Sequence, residues 1–179
     1  VLFRSVHCFC KGTSSASGVR TFAGTVNLSG TVTINANQCF RISDTYISAT
    51  TANVNISGGT FNSTSTGIYT NEKTSGSNTN SSSFTITGGK FKSTSANHID
   101  TASPTSLLHI QGGFFNERSG TNSKTNLEGY VSDPYEVFVL EDGDANKTAG
   151  YSYEVCEKRV AKVKVGSTTT YYTDLKARS

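Results

Sequence analysis

Few residues in this 179-residue chain have the types and spacing that chemistry demands. His98 and Asp100 flank Ile99, so in a strand with Ile99 inward they project from one outer face as an acid–base pair. No nucleophile or metal-ligand partner accompanies them, and the pair reads as structural. His109, between Leu108 and Ile110, points outward by the same alternation, while His7 has no interpretable setting. Asp142, Asp144 and Asn146 open like a D-x-D-x-N calcium loop, yet Lys147 stands where Gly is needed and Tyr153 where the bidentate Glu belongs. A polar hairpin turn is the better reading, so no metal site and no cofactor are expected.

Glycan cleavage needs two carboxylates facing one bond, or an acid cluster for Ca²⁺ beside a basic proton acceptor. Between residues 25 and 116 the acids are Asp44, Glu72 and Asp100, far apart and without a D-D or D-x-D pair. No catalytic residue is assigned, and the chain reads as a non-enzyme. Exposed aromatics offer a different chemistry, stacking on sugar rings, for which Tyr46, Tyr69 and Phe114 are the candidates. Cys8, Cys10, Cys39 and Cys156 allow three disulfide pairings among which sequence cannot choose. Cys8-x-Cys10 lacks a partner pair at zinc spacing, and Cys39, beside Phe40, is expected to face the core.

The elements that must position these groups are announced by a repeat. Ile56-Ser57-Gly58-Gly59-Thr60-Phe61 returns as Ile86-Thr87-Gly88-Gly89-Lys90-Phe91 and Ile110-Gln111-Gly112-Gly113-Phe114-Phe115, with a looser first copy at Leu28-Ser29-Gly30-Thr31-Val32. The anchors Leu28, Ile56, Ile86 and Ile110 lie 28, 30 and 24 residues apart, within the range of stacked repeats. Val26, Val54, Phe84 and Leu108 stand two residues before them, which places each pair on one face of a strand. The paired glycines mark a bend or a positive φ, and Phe61, Phe91 and Phe115 then face the same interior, with Val32 expected in that role if the first copy lacks one glycine. A third patch follows at Phe40 and Ile42, Ile68 and Tyr69, and Ile99.

Two or three short strands per repeat read as one coil of a parallel β-helix, whose apolar residues are covered only when the next coil stacks on top. Identical residue types are then expected to stack in columns. Residues 25–126 form these coils, 1–24 an N-terminal cap or irregular first coil, and 127–179 an antiparallel cap or the start of a next module. In the last region Tyr135–Leu140 and Tyr151–Val155 flank an acidic turn and predict a hairpin. Val160–Val165 alternates, with Ala161, Val163 and Val165 expected inward and Lys162 and Lys164 outward.

Charged residues make up only 16% of the chain, and Met and Trp are absent, which suits many strands and polar turns and leaves helix nearly absent. A net charge of +3, scattered, excludes a nucleic-acid surface, and apolar runs of a few residues exclude membrane insertion by helices. The first ten residues lack the basic lead and apolar stretch of a secretory signal, and the missing initiator Met suggests a fragment. The Ser/Thr/Asn-rich run 70–83 reads as a solvated loop between coils.

The I-[ST]-G-G-x-F repeat, followed by Gly129-Tyr130-Val131, Tyr135-Glu136-Val137, Tyr151-Ser152-Tyr153-Glu154-Val155 and Val160-Ala161-Lys162-Val163, resembles the β-helix segments of large bacterial surface (adhesin-like) proteins. The resemblance covers roughly residues 25 to 175, and the four cysteines depart from it, since such rods usually lack them. It implies an all-β, right-handed parallel β-helix acting as a non-catalytic structural or adhesive segment, extracellular or at the cell surface. Glycans or proteins of a host or the environment are the implied partners, with stacking of copies into a filament through uncapped ends. Two other functions are kept open: a carbohydrate-binding module and, behind it, a pectate-lyase-like enzyme.

Overall fold

The computed structural model describes residues 2–3, 7–9, 16–21, 24–43, 52–71, 82–94, 99–101, 108–118, 126–166 and 168–173. The fold is all-β. Its strands are β1 (Leu2–Phe3), β2 (His7–Phe9), β3 (Ser17–Thr21), β4 (Gly24–Leu28), β5 (Thr33–Ala36), β6 (Gln38–Ser43), β7 (Ala52–Ser63), β8 (Ile68–Asn71), β9 (Ser83–Ser93), β10 (Ile99–Thr101) and β11 (Leu108–Phe115). They continue as β12 (Tyr135–Val139), β13 (Tyr153–Glu157), β14 (Ala161–Val165) and β15 (Thr168–Tyr172). Helix is confined, among the described residues, to a 3-10 turn at Leu127–Tyr130 and the single turn α1 (Ala145–Thr148).

A mixed nine-stranded sheet runs β1-β4-β7-β9-β11-β13-β12, with β5 beside β7 and β2 beside β5. Its pairs are parallel from β1 to β11, while β13 joins antiparallel to both β11 and β12. A second sheet, β10-β8-β6-β3, is parallel throughout, and β14 and β15 form an antiparallel ribbon. From β5 to β11 the chain alternates between the two parallel sheets, so each parallel neighbour lies one sequence repeat away. Parallel partners cannot be joined by a tight turn, and here the crossing segment is a strand of the opposite sheet.

The apolar core lies between these sheets. Leu28, Ile56, Ile86 and Ile110 align in register and are all buried, as are Val54, Phe84 and Leu108 beside them. Phe61, Phe91 and Phe115 form a continuous ring stack, with centroids 4.9 and 4.8 Å apart and interplanar angles of 27° and 7°. From the second sheet, Phe40 meets Phe61 edge-on at 4.9 Å and Phe84 at 5.4 Å, above the aligned Ile68 and Ile99. A strand repeat of about 4.8 Å is also the contact distance of offset aromatic rings, so one residue type recurring in register satisfies hydrogen bonding and packing together. Polar columns follow the same rule: the amide of Asn55 donates to Asn27 Oδ1 (2.9 Å) and that of Asn62 to Asn35 Oδ1 (2.8 Å).

The two glycines of the repeat have different duties. The second one, Gly59, Gly89 or Gly113, takes φ of 110°, 112° or 117°, where a side chain is strained. The first allows close approach: a Cβ on Gly88 would lie 2.7 Å from Ser57 O, and one on Gly112 2.3 Å from Thr87 O. The strand continues through the pair as a local shift in register.

Two expectations are corrected. Ile34, not Val32, occupies the phenylalanine position, because it aligns with Phe61. The first copy turns at Gly30 and Thr31 and needs one residue more, leaving Val32 buried inside that turn with its carbonyl accepting from Thr60 N (2.8 Å). Val163 and Val165 do not point inward; they are 46% and 74% exposed. The ribbon instead turns its other face to the body, where Tyr171 meets Phe138 at 5.3 Å and Lys162 pairs with Glu141. The Tyr135–Leu140 and Tyr151–Val155 hairpin pairs as expected, with Val137 opposite Val155.

Candidate functional site

Alternation past the glycine pair puts Ile34, Phe61, Phe91 and Phe115 inward, so their predecessors Thr33, Thr60, Lys90 and Phe114 form one outward row, aligned strand by strand. The next outward row is Asn35, Asn62 and Lys92. Since a glycine has no side chain to project, Gly30, Gly58, Gly59 and Gly89 leave a channel beside the first row, a groove of about 400 Å³ walled by Thr33, Thr60, Lys90 and Phe114. Groups along it recur at about 4.8 Å, the strand repeat.

One end of the groove is aromatic and basic. The Lys90 ammonium lies 6.0 Å from the Phe114 ring centroid and 5.8 Å from that of Tyr151, and the two rings are 6.4 Å apart. Lys92 Nζ sits 4.7 Å from the Tyr151 ring and donates to Ala149 O (2.6 Å). Tyr151 is itself buried, which raises the pKa of its phenol. Beyond Phe114 the row passes to Glu154 and Phe138. The Glu154 carboxylate pairs with Arg159, whose guanidinium lies 3.8 Å from the Phe138 ring centroid and 4.3 Å from that of Tyr171. That charge is compensated, whereas no carboxylate is ion-paired to Lys90 or Lys92 among the described residues.

A second hollow, about 280 Å³, is lined by Glu141, Asp142, Asp144 and Tyr171. Its acids are largely committed. Lys162, with Tyr171, lowers the Glu141 pKa by hydrogen bonding, and Asp144 Oδ1 accepts from Asn146 N (2.7 Å) to cap α1. The D-x-D-x-N segment is thus a turn entering one helical turn, with Asp144 occupied by its own backbone. Among the described residues no three His, Cys, Asp or Glu gather as a metal set, and no helix is long and apolar enough to cross a membrane.

Of the residues singled out in the sequence, Phe114 lies in the groove and His109 is exposed on β11, as alternation required. Asp100 aligns with Tyr69 across β10 and β8, but their side chains, with those of His7 and Cys8, fall outside the description. His98, Tyr46, Asp44, Glu72 and Cys10 lie outside the described residues. Lys90 and Lys92 were not picked out by sequence reasoning, although their positions flanking Phe91 already marked them as outward neighbours. No local signal could have joined Tyr151 to them.

Cys39 is buried, its thiol directed at Ile34 O (3.8 Å), and Cys156 is half-buried; neither forms a disulfide. Burial pushes the Cys39 thiol up from the ordinary 9.0 to about 12, against a smaller lowering by the Ala36 backbone. The core accepts the neutral thiol, so the stability it contributes is complete below pH 9.0 and is lost as pH rises toward about 12. Alkylation of the native protein at pH 8, mapped by mass spectrometry, is expected to spare Cys39 until urea unfolds the chain. Labelling of Cys39 as fast as in the unfolded chain would show the site open.

No protein-family model, curated protein or solved structure matches this chain.

Proposed function

We infer that residues 25–126 wind as a right-handed parallel β-helix, and that the chain serves as a non-catalytic structural and adhesive segment of a bacterial surface protein, outside the cell. The observation carrying this reading is the register of like upon like: isoleucine, phenylalanine and asparagine columns spaced one repeat apart. The isoleucine and phenylalanine columns are committed to cohesion, while the outward rows, asparagine ladders among them, are left for display. The right hand follows from the strong preference of parallel crossovers for that sense. Copies that join end to end would use the β1 and β3 side, since β13 already occupies the outer edge of β11 over Gly113–Phe115.

The adhesive role is tested by coating beads with the chain and measuring their retention under flow on surfaces bearing polysaccharides or host cells, alongside the release of reducing or unsaturated sugar ends. Retention without release is the expected result. Release of product would replace the adhesive reading with the enzymatic one. A second reading, a carbohydrate-binding module, is favoured by the groove, which has an aromatic ring at one end and threonine hydroxyls at strand intervals.

A further inference from the structure

We propose that the groove beside the Thr33–Thr60–Lys90–Phe114 row binds a linear polysaccharide bearing carboxylates, lying along the stacking direction of the strands. This inference deepens the carbohydrate-binding reading by naming the ligand's charge and the residues that select it. Three features of the site converge. The groove is open and long enough to pass three parallel strands, from Gly30 to Gly89, and its wall groups recur at about 4.8 Å, close to the advance of one pyranose along an extended chain. Its Thr33 and Thr60 hydroxyls supply donors and acceptors in register, as a repeating ligand requires. At its far end Phe114, half-buried with Tyr151 nearby, offers a ring on which a sugar face stacks.

Charge decides the class of glycan. Among the described residues the groups facing this end are Lys90, Lys92, the Tyr151 phenol and Glu154, and Glu154 is neutralised by Arg159. Among the described residues Lys90 has aromatic rings for neighbours and no ion-paired carboxylate, so its ammonium is the one offered to a ligand carboxylate, while Lys92 is anchored to Ala149 O. A neutral glycan would leave that charge unused. Nucleic acid would bring a charge density for which this one-lysine groove has no matching row.

The test is affinity electrophoresis and titration calorimetry of the full chain with alginate, against dextran as the neutral polymer. Lys90→Gln, Phe114→Ala and the charge-matched control Lys164→Gln are compared, each first shown to be folded by circular dichroism. Lys164 is exposed on the separate ribbon. Alginate binding is expected to weaken by at least about fivefold in both groove variants, to be unchanged in Lys164→Gln, and to fall as salt rises from about 0.01 to about 1 M. Dextran is expected to bind more weakly and to ignore Lys90→Gln.

The proposal is overturned by absence of alginate binding, by equal loss in Lys164→Gln, which would mark a nonspecific polycation effect, or by dextran binding as tightly as alginate. If Phe114→Ala fails to fold, Lys90→Gln alone still decides. Binding of dextran that depends on Phe114 but not on Lys90 would keep the carbohydrate-binding module and remove only the charged ligand. Retention of the beads without alginate binding would keep the adhesive role and remove the groove from it.

Discussion

Phe91→Ala is expected to lower the stability of the whole parallel region by about 3–5 kcal/mol, a large part of the about 5–15 kcal/mol available to a domain of this size. Phe91 is the middle ring of the Phe61–Phe91–Phe115 stack and is 1% exposed. It also lies 6.5 Å from Phe40 of the opposite sheet. Truncation leaves a void touching the strands on both sides, and the flanking rings cannot close it because their own strands are held one hydrogen-bonded spacing away. Urea denaturation followed by far-ultraviolet circular dichroism measures the loss. Val165→Ala is the comparison, and at 74% exposure it is expected to change stability by no more than about 0.5 kcal/mol. If Phe91→Ala shifted the midpoint no further than Val165→Ala, the stacked core would not be what holds these strands together.

Gly112→Ala separates two reasons for a glycine. Its Cβ would lie 2.3 Å from Thr87 O and 2.8 Å from Thr87 C, both backbone atoms of the neighbouring strand, so relief requires β9 and β11 to part. Gly143 has φ of +95° with nothing within 4 Å of the added carbon, so Ala there meets only local strain, about 1–2 kcal/mol. Gly112→Ala is expected to cost more, about 3 kcal/mol or above, and to weaken hydrogen-exchange protection of the β9 and β11 amides, whereas Gly143→Ala leaves them protected. Equal losses in the two variants would mean that conformational freedom, and not strand approach, explains the first glycine of the repeat.

Much of this architecture was legible because local pattern and long-range packing agree. A side chain two residues from a buried isoleucine in a strand must share its face, and so Val54, Phe84 and Leu108 were found inside without knowledge of their partners. Positive φ at Gly59, Gly89 and Gly113 was legible for a similar reason, since glycine is the residue that adopts it without strain. The groove was only half legible. Phe114 was named among the aromatics, but Lys90 looked like one surface lysine among many until it stood between Phe114 and Tyr151. The acid–base pair at His98 and Asp100, which looked like the best chemistry in the chain, has no described side-chain geometry.

Alternation misled where a segment has no compact body on both sides. In β14 it correctly divided valines from lysines, but an isolated two-stranded ribbon can present either face to its neighbour. Tyr171 meeting Phe138 edge-on and lying against Arg159, together with Lys162 on Glu141, outweighed the valines for that contact. The Val32 assignment failed on a smaller scale, by two residues. It took the first copy, with its single glycine, to cross the bend in one step fewer than the others, whereas it takes one step more.

The amino-acid order by itself determined which residues turn inward in the repeats that carry the full glycine pair and which glycine of the pair takes a positive φ, because both depend only on neighbours a few positions along the chain. Tertiary structure decided which inward residues meet, which face of the ribbon is sheltered, and that Lys92 lies beside a tyrosine ring from the hairpin. Those outcomes compare contacts between segments tens of residues apart. They are settled only when competing registers and orientations are weighed in three dimensions.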